Sequence, residues 1–250
     1  MPLRSFLQAQ ENPETARVGN VDQREIYVSA SHARRYDALV RAEDCDGHLV
    51  QALDAIAPIA GASWLEVGAG TGRITRQLVE RGAARVIASD RAAAMLSVAG
   101  EHLGGARRVS LAVADARALP VASGWADAAV AGWVFGHFRY WMPDGWRDHV
   151  GAALDEMARA LRPGGALVVV ETLGTGTEVA APPSAALAEY YAWLERERGL
   201  RRVEIATDYE FRSAADAADV MGFFFGDQMA DRVRDHGWRR VPERTGVWSR

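Results

Sequence analysis

The chain has 250 residues, of which 49% are hydrophobic, and a formal net charge of −4. This length suffices for one substantial core, and the negative charge disfavours a surface that binds nucleic acid phosphates. Cys45 is the only cysteine, which excludes an internal disulfide and a cysteine-ligated zinc cluster. The first ten residues lack the apolar core of a signal peptide, and no segment has the roughly 20 apolar residues of a membrane helix. A soluble cytoplasmic protein is therefore expected.

The predicted elements begin with helices and continue as alternating strands and helices. Residues 1–23 are polar and form no predicted element, whereas residues 29–57 carry helical periodicity in two pieces, interrupted near 44–47. The later alternation of apolar strands with helices predicts an α/β fold with a doubly wound, mostly parallel sheet. The predicted strands are 63–67, 85–89, 109–114, 127–132 and 166–172, and the predicted helices between them are 72–81, 92–103 and 147–161.

The last third of the chain adds helices and closing strands to this pattern. An amphipathic helix is predicted after Pro182-Pro183-Ser184, ending near Arg198. Residues 201–211 alternate like a strand, residues 213–234 have a helical pattern, and residues 241–248 could close the sheet. The sequence contains no repeat and no linker that would indicate a second domain, and it leaves the oligomeric state open.

A glycine-rich turn after the first of these strands is the most informative segment. Residues 64–72 read Trp-Leu-Glu-Val-Gly-Ala-Gly-Thr-Gly and are followed by a predicted helix. Glycine lets the backbone turn sharply and approach a ligand closely, and the start of a helix presents unpaired N–H groups. The segment therefore predicts a site for an adenosine-type cofactor at the end of the strand.

Two classes of cofactor fit a glycine turn of this kind. Nicotinamide dinucleotides favour Gly-x-Gly-x-x-Gly, whose third glycine would stand where this chain has Arg73. The third glycine is Gly72 instead, and Glu66 precedes the first glycine by two positions. Asp90 ends the next predicted strand about twenty residues further on, where a carboxylate could accept the ribose hydroxyls of either cofactor.

Four motifs, taken in order, resemble those of the small-molecule class I S-adenosylmethionine-dependent methyltransferases. They are the Glu-x-Gly-x-Gly-x-Gly segment from Glu66 to Gly72, Asp90, Asp115 after the third strand, and the Pro163-Gly164-Gly165 turn before residues 166–172. Together they cover residues 64–172. The resemblance implies a Rossmann-like fold with a seven-stranded sheet that ends in a hairpin-like pair, and S-adenosylmethionine as the cofactor.

The same resemblance assigns the expected cofactor contacts. Glu66 and the glycines would frame the methionine and ribose, Asp90 would hold the ribose diol, and Asp115 would accept from the adenine amino group. Tyr36 lies in a segment that resembles the helix covering the cofactor in this family, although a tyrosine of the core would give the same pattern. The full expected set is Tyr36, Glu66, Gly68, Ala69, Gly70, Gly72, Asp90, Arg91, Asp115, Ala116 and Gly132.

An aromatic segment at 132–141 is the candidate substrate site, because ligands lie beyond the carboxyl ends of the strands in such sheets. It is predicted to be a connecting loop whose rings line an apolar pocket, or else anchor the next helix. His137 is the candidate proton acceptor; the alternative is a histidine that bonds the backbone. The expected substrate contacts are Trp133, Phe135, Phe138 and Trp141.

The prediction is a single methyltransferase domain over 1–250, with N-terminal cap helices (1–60), a cofactor-binding core (61–176), and lid helices with closing strands (177–250). It would methylate an oxygen, nitrogen or carbon of a small, apolar or aromatic molecule. The family signatures of nucleic-acid amino methylation and of metal-dependent catechol methylation are absent, so neither nucleic acid nor metal is expected. The lack of a long apolar segment likewise predicts no membrane association. Three alternatives stay open: another use of the sulfonium, a cofactor-binding subunit without turnover, and a nicotinamide-dependent oxidoreductase.

Overall fold

The computed structural model describes residues 17, 18, 21, 22, 27, 29–103 and 105–250. The helices in these ranges are α1 (Ala30–Ala42), α2 (His48–Ile56), α3 (Arg73–Glu80), α4 (Ala93–Leu103), α5 (Phe135–Trp141), α6 (Trp146–Ala160), α7 (Ala185–Arg196), α8 (Ala214–Phe225) and α9 (Asp227–His236). The strands are β1 (Arg17–Val18), β2 (Val21–Asp22), β3 (Ser63–Val67), β4 (Arg85–Asp90), β5 (Val109–Val113), β6 (Ala126–Gly132), β7 (Leu161–Thr175), β8 (Arg201–Ala206), β9 (Tyr209–Glu210), β10 (Arg240–Val241) and β11 (Glu243–Ser249).

Seven of these strands form one sheet in the order β5-β4-β3-β6-β7-β11-β8. Neighbouring strands from β5 to β7 run parallel, and β11 is antiparallel to both β7 and β8. The chain moves outward from β3 to β5 and then returns to β6 on the other side of β3. Such a reversal of strand order opens a crevice at the carboxyl ends of β3 and β6, where α/β sheets bind ligands. The predicted mostly parallel, seven-stranded sheet is confirmed.

The central strands β3 and β6 are buried on both faces, because successive residues point to opposite sides and helices cover each side. Trp64 of β3 packs with Leu53 of α2 and Leu78 of α3 on one face. Its neighbour Leu65 packs with Leu154 of α6 on the other face. Both cores therefore meet at β3, and they hold the end of this strand in a fixed position.

The N-terminal helices confirm the two predicted helical pieces. The break between α1 and α2 contains Asp44 and Gly47, with φ of 59° and 70°. The carboxylate of Asp44 accepts the backbone N–H of Leu49 at 3.1 Å, which satisfies a donor at the start of α2. Most of residues 1–23 lies outside the described residues, apart from the paired strands β1 and β2. Within the described ranges, each helix is too short or too polar to cross a lipid bilayer.

Three segments differ from their predicted structure. The aromatic segment predicted as a loop contains the helix α5, and the helical pattern at 213–234 is divided by Gly226 into α8 and α9. The predicted Pro163-Gly164-Gly165 turn lies inside β7, because Leu161 pairs with Ala126 and the register then shifts before Ala166 pairs with Ala128. Between these pairs β7 has three residues more than β6, and Gly164 adopts the left-handed φ of 78°, so the chain makes its turn within this irregularity of the strand.

Candidate functional site

The turn between β3 and α3 requires glycine at its three glycine positions. Gly68, Gly70 and Gly72 have φ of 73°, 55° and 86°, in the left-handed region that favours glycine. A Cβ on Gly68 would lie 2.2 Å from Cγ2 of Val134, and one on Gly72 would lie 3.2 Å from Cβ of Ala99. The backbone N–H groups of Gly68 and Ala69 donate to the carbonyl of Ser89, at 2.8 and 2.9 Å, which attaches the turn to the end of β4.

Asp90 lies beside this turn at the carboxyl end of β4. Its Oδ2 accepts the backbone N–H of Gly70 at 2.8 Å, and its Oδ1 accepts that of Ala92 at 2.7 Å. A carboxylate offers about four acceptor positions, so acceptor capacity remains for a hydroxyl group of a ligand. Burial raises the pKa of Asp90. The structure thus brings the predicted ribose acceptor and the predicted glycine turn into direct contact.

Glu66 lies within β3 and faces the first turn of α3. The hydroxyl of Thr75 donates to its Oε2, and that of Ser89 donates to its backbone carbonyl at 3.1 Å. Burial raises the pKa of Glu66 to about 8. The hydrogen bond from Thr75 to the carboxyl group of Glu66 therefore holds α3, the helix that follows the glycine turn, against β3.

Asp115 follows β5 and is held by two arginines. Arg117 donates through Nε and Nη2 to the two carboxylate oxygens at 2.9 and 2.7 Å, while Nε of Arg91 lies 3.9 Å from Oδ2. These hydrogen bonds lower the pKa of Asp115 to about 2. The carboxylate is consequently ionised over the physiological range, and it stays partly exposed at the carboxyl edge of the sheet.

The remaining predicted cofactor contacts lie along the same edge of the sheet. Ala116 is 7% exposed and packs in the core next to Asp115. A Cβ on Gly132, the last residue of β6, would lie 2.7 Å from Cδ1 of Ile74 in α3. This close approach of β6 to α3 explains why a glycine ends the strand here.

Helix α5 carries three of the four predicted substrate contacts, and it turns two of them into the core. Phe135 and Phe138 are 0% and 6% exposed and pack against Trp146 and its neighbours in the core. Because these side chains have almost no accessible surface, they anchor α5 in the core, which is the alternative that the sequence left open. Their contact with substrate stays a prediction. His137 and Trp141 point elsewhere: their rings stack with centroids 4.8 Å apart.

Two tyrosines complete a cluster of rings above the glycine turn, here called the aromatic cluster (Tyr27, Tyr36, His137 and Trp141). The hydroxyl of Tyr27 lies 3.2 Å from Nε2 of His137, and its ring packs edge-on against those of Tyr36 and Trp141. Cε1 of Tyr36 lies 3.8 Å from the position that a Cβ on Gly70 would take. Burial lowers the pKa of His137 to about 4, so its imidazole is neutral at physiological pH.

Trp133, the remaining predicted substrate contact, adopts φ of 54° immediately after β6. Its ring lies against the guanidinium of Arg73, with Cζ 3.8 Å from the ring centroid. Arg73 also forms a buried ion pair with Glu43, the residue that follows α1. The arginine that replaces the third glycine of a dinucleotide motif thus joins the glycine turn to α1 and to the end of β6.

Glu171 of β7 holds the start of α5, a role that the sequence alone did not reveal. It accepts the backbone N–H of Gly136 at 2.9 Å and the hydroxyl of Tyr190 at 3.3 Å, and is 4% exposed. Burial raises the pKa of Glu171 from 4.5 to about 7. This carboxyl fixes the helix that carries His137, and so acts on the site through the backbone.

The raised pKa of Glu171 predicts a pH-dependent stability. The folded state keeps the proton that the unfolded state loses above about pH 4.5, so stability falls as pH rises from there to about 7, by roughly 3 kcal/mol. Glu171→Gln keeps an acceptor oxygen without the ionisation and should lose less stability between pH 5 and pH 8 in urea denaturation. The exposed Glu178→Gln should behave as the parent does. Equal losses in Glu171→Gln and the parent would contradict this role.

Comparisons with known proteins agree with this geometry. A family model described as a methyltransferase domain matches residues 65–169. The chain is 36% identical over 119 residues to a demethylmenaquinone methyltransferase of Clavibacter sepedonicus, covering 47% of this chain and 44% of that protein. It is 35% identical over 117 residues to a malonyl-[acyl-carrier protein] O-methyltransferase of Methylococcus capsulatus, covering 46% and 39%. The chain thus spans less than half the length of these curated relatives.

Solved structures share the fold at lower sequence identity. Phosphoethanolamine N-methyltransferase 2 of Haemonchus contortus, in complex with phosphomonomethylethanolamine and S-adenosylhomocysteine, matches with a TM-score of 0.57 at 15% identity. The match covers 88% of this chain and 57% of that one. The segment that the family model matches runs from β3 into β7 and includes the glycine turn, Asp90 and Asp115.

Proposed function

This chain contains a class I S-adenosylmethionine-dependent methyltransferase domain, and on that premise we propose that it methylates a small molecule held beside α5. The observation that carries the proposal is the aromatic cluster, in which Tyr36 lies over the glycine turn at Gly70. A site bounded by four rings at this position suits a small, apolar or aromatic acceptor and leaves little access for a polymer.

On the donor side, each proposed contact has a polar group in place. The turn from Gly68 to Gly72 lets the ligand approach the backbone closely. Asp90 keeps acceptor capacity for the ribose hydroxyls, and the ionised Asp115 can accept from the adenine amino group. The cofactor supplies an electrophilic methyl group on sulfur. The task left to the protein is to align an oxygen, nitrogen or carbon nucleophile with that methyl group.

On the acceptor side, His137 is the proposed proton acceptor. Its neutral imidazole can take a proton at Nε2 from a hydroxyl or amine nucleophile, in the place where Tyr27 now lies at hydrogen-bond distance. Stacking on Trp141 fixes the plane of the ring. The low pKa makes the imidazole a weak base, which suits a nucleophile that is already easily deprotonated.

Replacing His137 by alanine tests this role. We expect kcat to fall about a hundredfold with unchanged affinity for S-adenosylhomocysteine, since a positioned base contributes at least that factor. The pKa of about 4 also predicts that His137 produces no inflection in the pH–rate profile between about pH 5 and 8. His236→Ala, at an exposed site on α9, is the matched control. Unchanged kcat in His137→Ala would leave alignment alone as the contribution of the site.

Isothermal titration with S-adenosylhomocysteine and with NADH tests the proposed activity as a whole. Micromolar binding of S-adenosylhomocysteine without binding of NADH is the expected result. The acceptor is then sought by mass spectrometry in incubations of S-adenosylmethionine with small aromatic alcohols, amines and acids. Binding of NADH alone would favour the oxidoreductase, and formation of a sulfonium-derived product other than S-adenosylhomocysteine would favour a different use of the cofactor.

A further inference from the structure

A cluster of buried polar residues lies next to Trp133, at the carboxyl edge of the sheet. Its members, here called the Glu43–Glu243 cluster, are Glu43, Arg73, Thr172, Tyr209 and Glu243. Glu43 and Glu243 are 7% and 1% exposed, and Arg73 is 9% exposed. Arg73 pairs with Glu43, while Thr172 donates its hydroxyl to Oε1 of Glu243 at 2.6 Å. Two carboxyl groups are therefore buried with one guanidinium.

Each carboxyl group has one oxygen without a hydrogen-bond partner among the described residues. These atoms are Oε1 of Glu43 and Oε2 of Glu243, both inaccessible to solvent. The hydroxyl of Tyr209 lies near Glu43, and that of Thr175 lies near Glu243. Burial raises the pKa of both carboxyl groups. A buried carboxylate oxygen without a donor is costly, and proteins normally pair it with a cation or keep it protonated. The cluster thus has capacity for one more group that donates hydrogen bonds and carries positive charge.

The position of Glu243 separates it from the proposed cofactor contacts. Glu243 begins β11 opposite Thr175, the last residue of β7. In the sheet order, β11 is three strand spacings from β3, which is about 14 Å from the strand that leads into the glycine turn. Arg73, at the other end of the cluster, stacks on Trp133 next to α5. The cluster accordingly extends from the end of the glycine turn toward the side where the acceptor would lie.

We propose that Glu43 and Glu243 bind an ammonium group of the methyl acceptor, beside the ring of Trp133. The inference rests on the proposed function and narrows the acceptor to an aromatic molecule that carries a basic amine. The ammonium supplies three donors to the two unpartnered oxygens, and with Arg73 it balances both carboxylates. The amine acts as an anchor in this assignment, whichever atom of the acceptor is methylated.

The experiment uses the protein saturated with S-adenosylhomocysteine and three probes of similar shape. 2-Phenylethylamine, 2-phenylethanol and 3-phenylpropanoate are titrated by ligand-observed NMR against the parent, Glu243→Gln and Glu80→Gln. Glu80 is an exposed glutamate on α3 and serves as the matched control. We expect the parent to bind the amine about tenfold more tightly than the alcohol, and the carboxylate more weakly than either. Glu243→Gln, which retains an acceptor for Thr172, should reduce the preference to about twofold, and Glu80→Gln should keep it.

Two other results would overturn the inference, and both differ from failure of the proposed function. An amine preference that is absent in the parent, or equal in the parent and Glu243→Gln, would show that the cluster does not bind the acceptor. Loss of S-adenosylhomocysteine affinity in Glu243→Gln, with no change in amine preference, would assign the carboxyl to the cofactor. A parent that fails to bind S-adenosylhomocysteine would contradict the proposed function itself. Thermal melting verifies that Glu243→Gln is folded under the conditions of the titration.

Discussion

Asp90→Ala is expected to weaken binding of S-adenosylhomocysteine at least a hundredfold. The substitution removes the proposed acceptors of the ribose diol, and it also leaves the N–H groups of Gly70 and Ala92 without their carboxylate. Charged hydrogen bonds contribute about 1.5–3 kcal/mol each, and a hundredfold change in affinity corresponds to about 2.7 kcal/mol. Isothermal titration of both proteins at one ionic strength measures the difference.

Two control variants separate the causes of this loss. Asp231→Ala removes an exposed aspartate on α9 that pairs with its neighbour Arg234, and should bind as the parent does. Asp90→Asn retains one acceptor oxygen and should lose about tenfold. Binding by a folded Asp90→Ala within threefold of the parent would refute the ribose contact and leave Asp90 as a residue that attaches the glycine turn.

Gly68→Ala should both destabilise the fold and abolish cofactor binding. The added Cβ would lie 2.2 Å from Cγ2 of Val134, whose branched side chain has few rotamers into which it can move. The left-handed φ of 73° adds about 1–2 kcal/mol, so we expect a total loss of about 3 kcal/mol. Val134 precedes α5 directly, and its displacement would also move His137. Thermal melting and S-adenosylhomocysteine titration measure the two effects.

Gly61→Ala provides the matched control for backbone strain alone. Gly61 has φ of 77°, and a Cβ placed there meets no atom within 4 Å. We therefore expect a loss of about 1 kcal/mol and unchanged cofactor affinity. If Gly68→Ala and Gly61→Ala melted alike and bound the cofactor alike, the close contact with Val134 would have no role in the site.

The core of the fold could be predicted because its signals are local. The consecutive residues of β3, the glycine turn and α3 are enough to indicate each of these elements. The same holds for the strand that ends at Asp90. The structure of the aromatic segment was harder to predict, because its residue types suggested a loop whose rings line a pocket. Its spacing carries a helical pattern: Phe135 and Phe138, three positions apart, face the core, while His137 and Trp141, four apart, stack outside it.

The rest of the site could not be predicted, because it depends on contacts between residues distant in the chain. Tyr27 meets His137 across 110 positions, and Arg73 meets Glu43 across 30. No local pattern identifies Glu43, and Glu243 begins a strand as an ordinary polar residue would. Glu171 gave a weak signal, since an acidic residue inside an apolar strand must find a buried partner. That partner is the start of α5, which the sequence pattern had not assigned to a helix.

Trp133 has a consequence for how this protein can change. Its backbone conformation costs a residue with a Cβ about 1–2 kcal/mol relative to glycine, and the tryptophan carries that cost in every folded molecule. Glycine at this position would relieve the strain, but it would also lose the packing of the ring in the core and on the guanidinium of Arg73, which together are worth more. The strained conformation therefore persists only while a large ring keeps these contacts, so a small residue at position 133 would release the loop after β6 and the Arg73 side chain together.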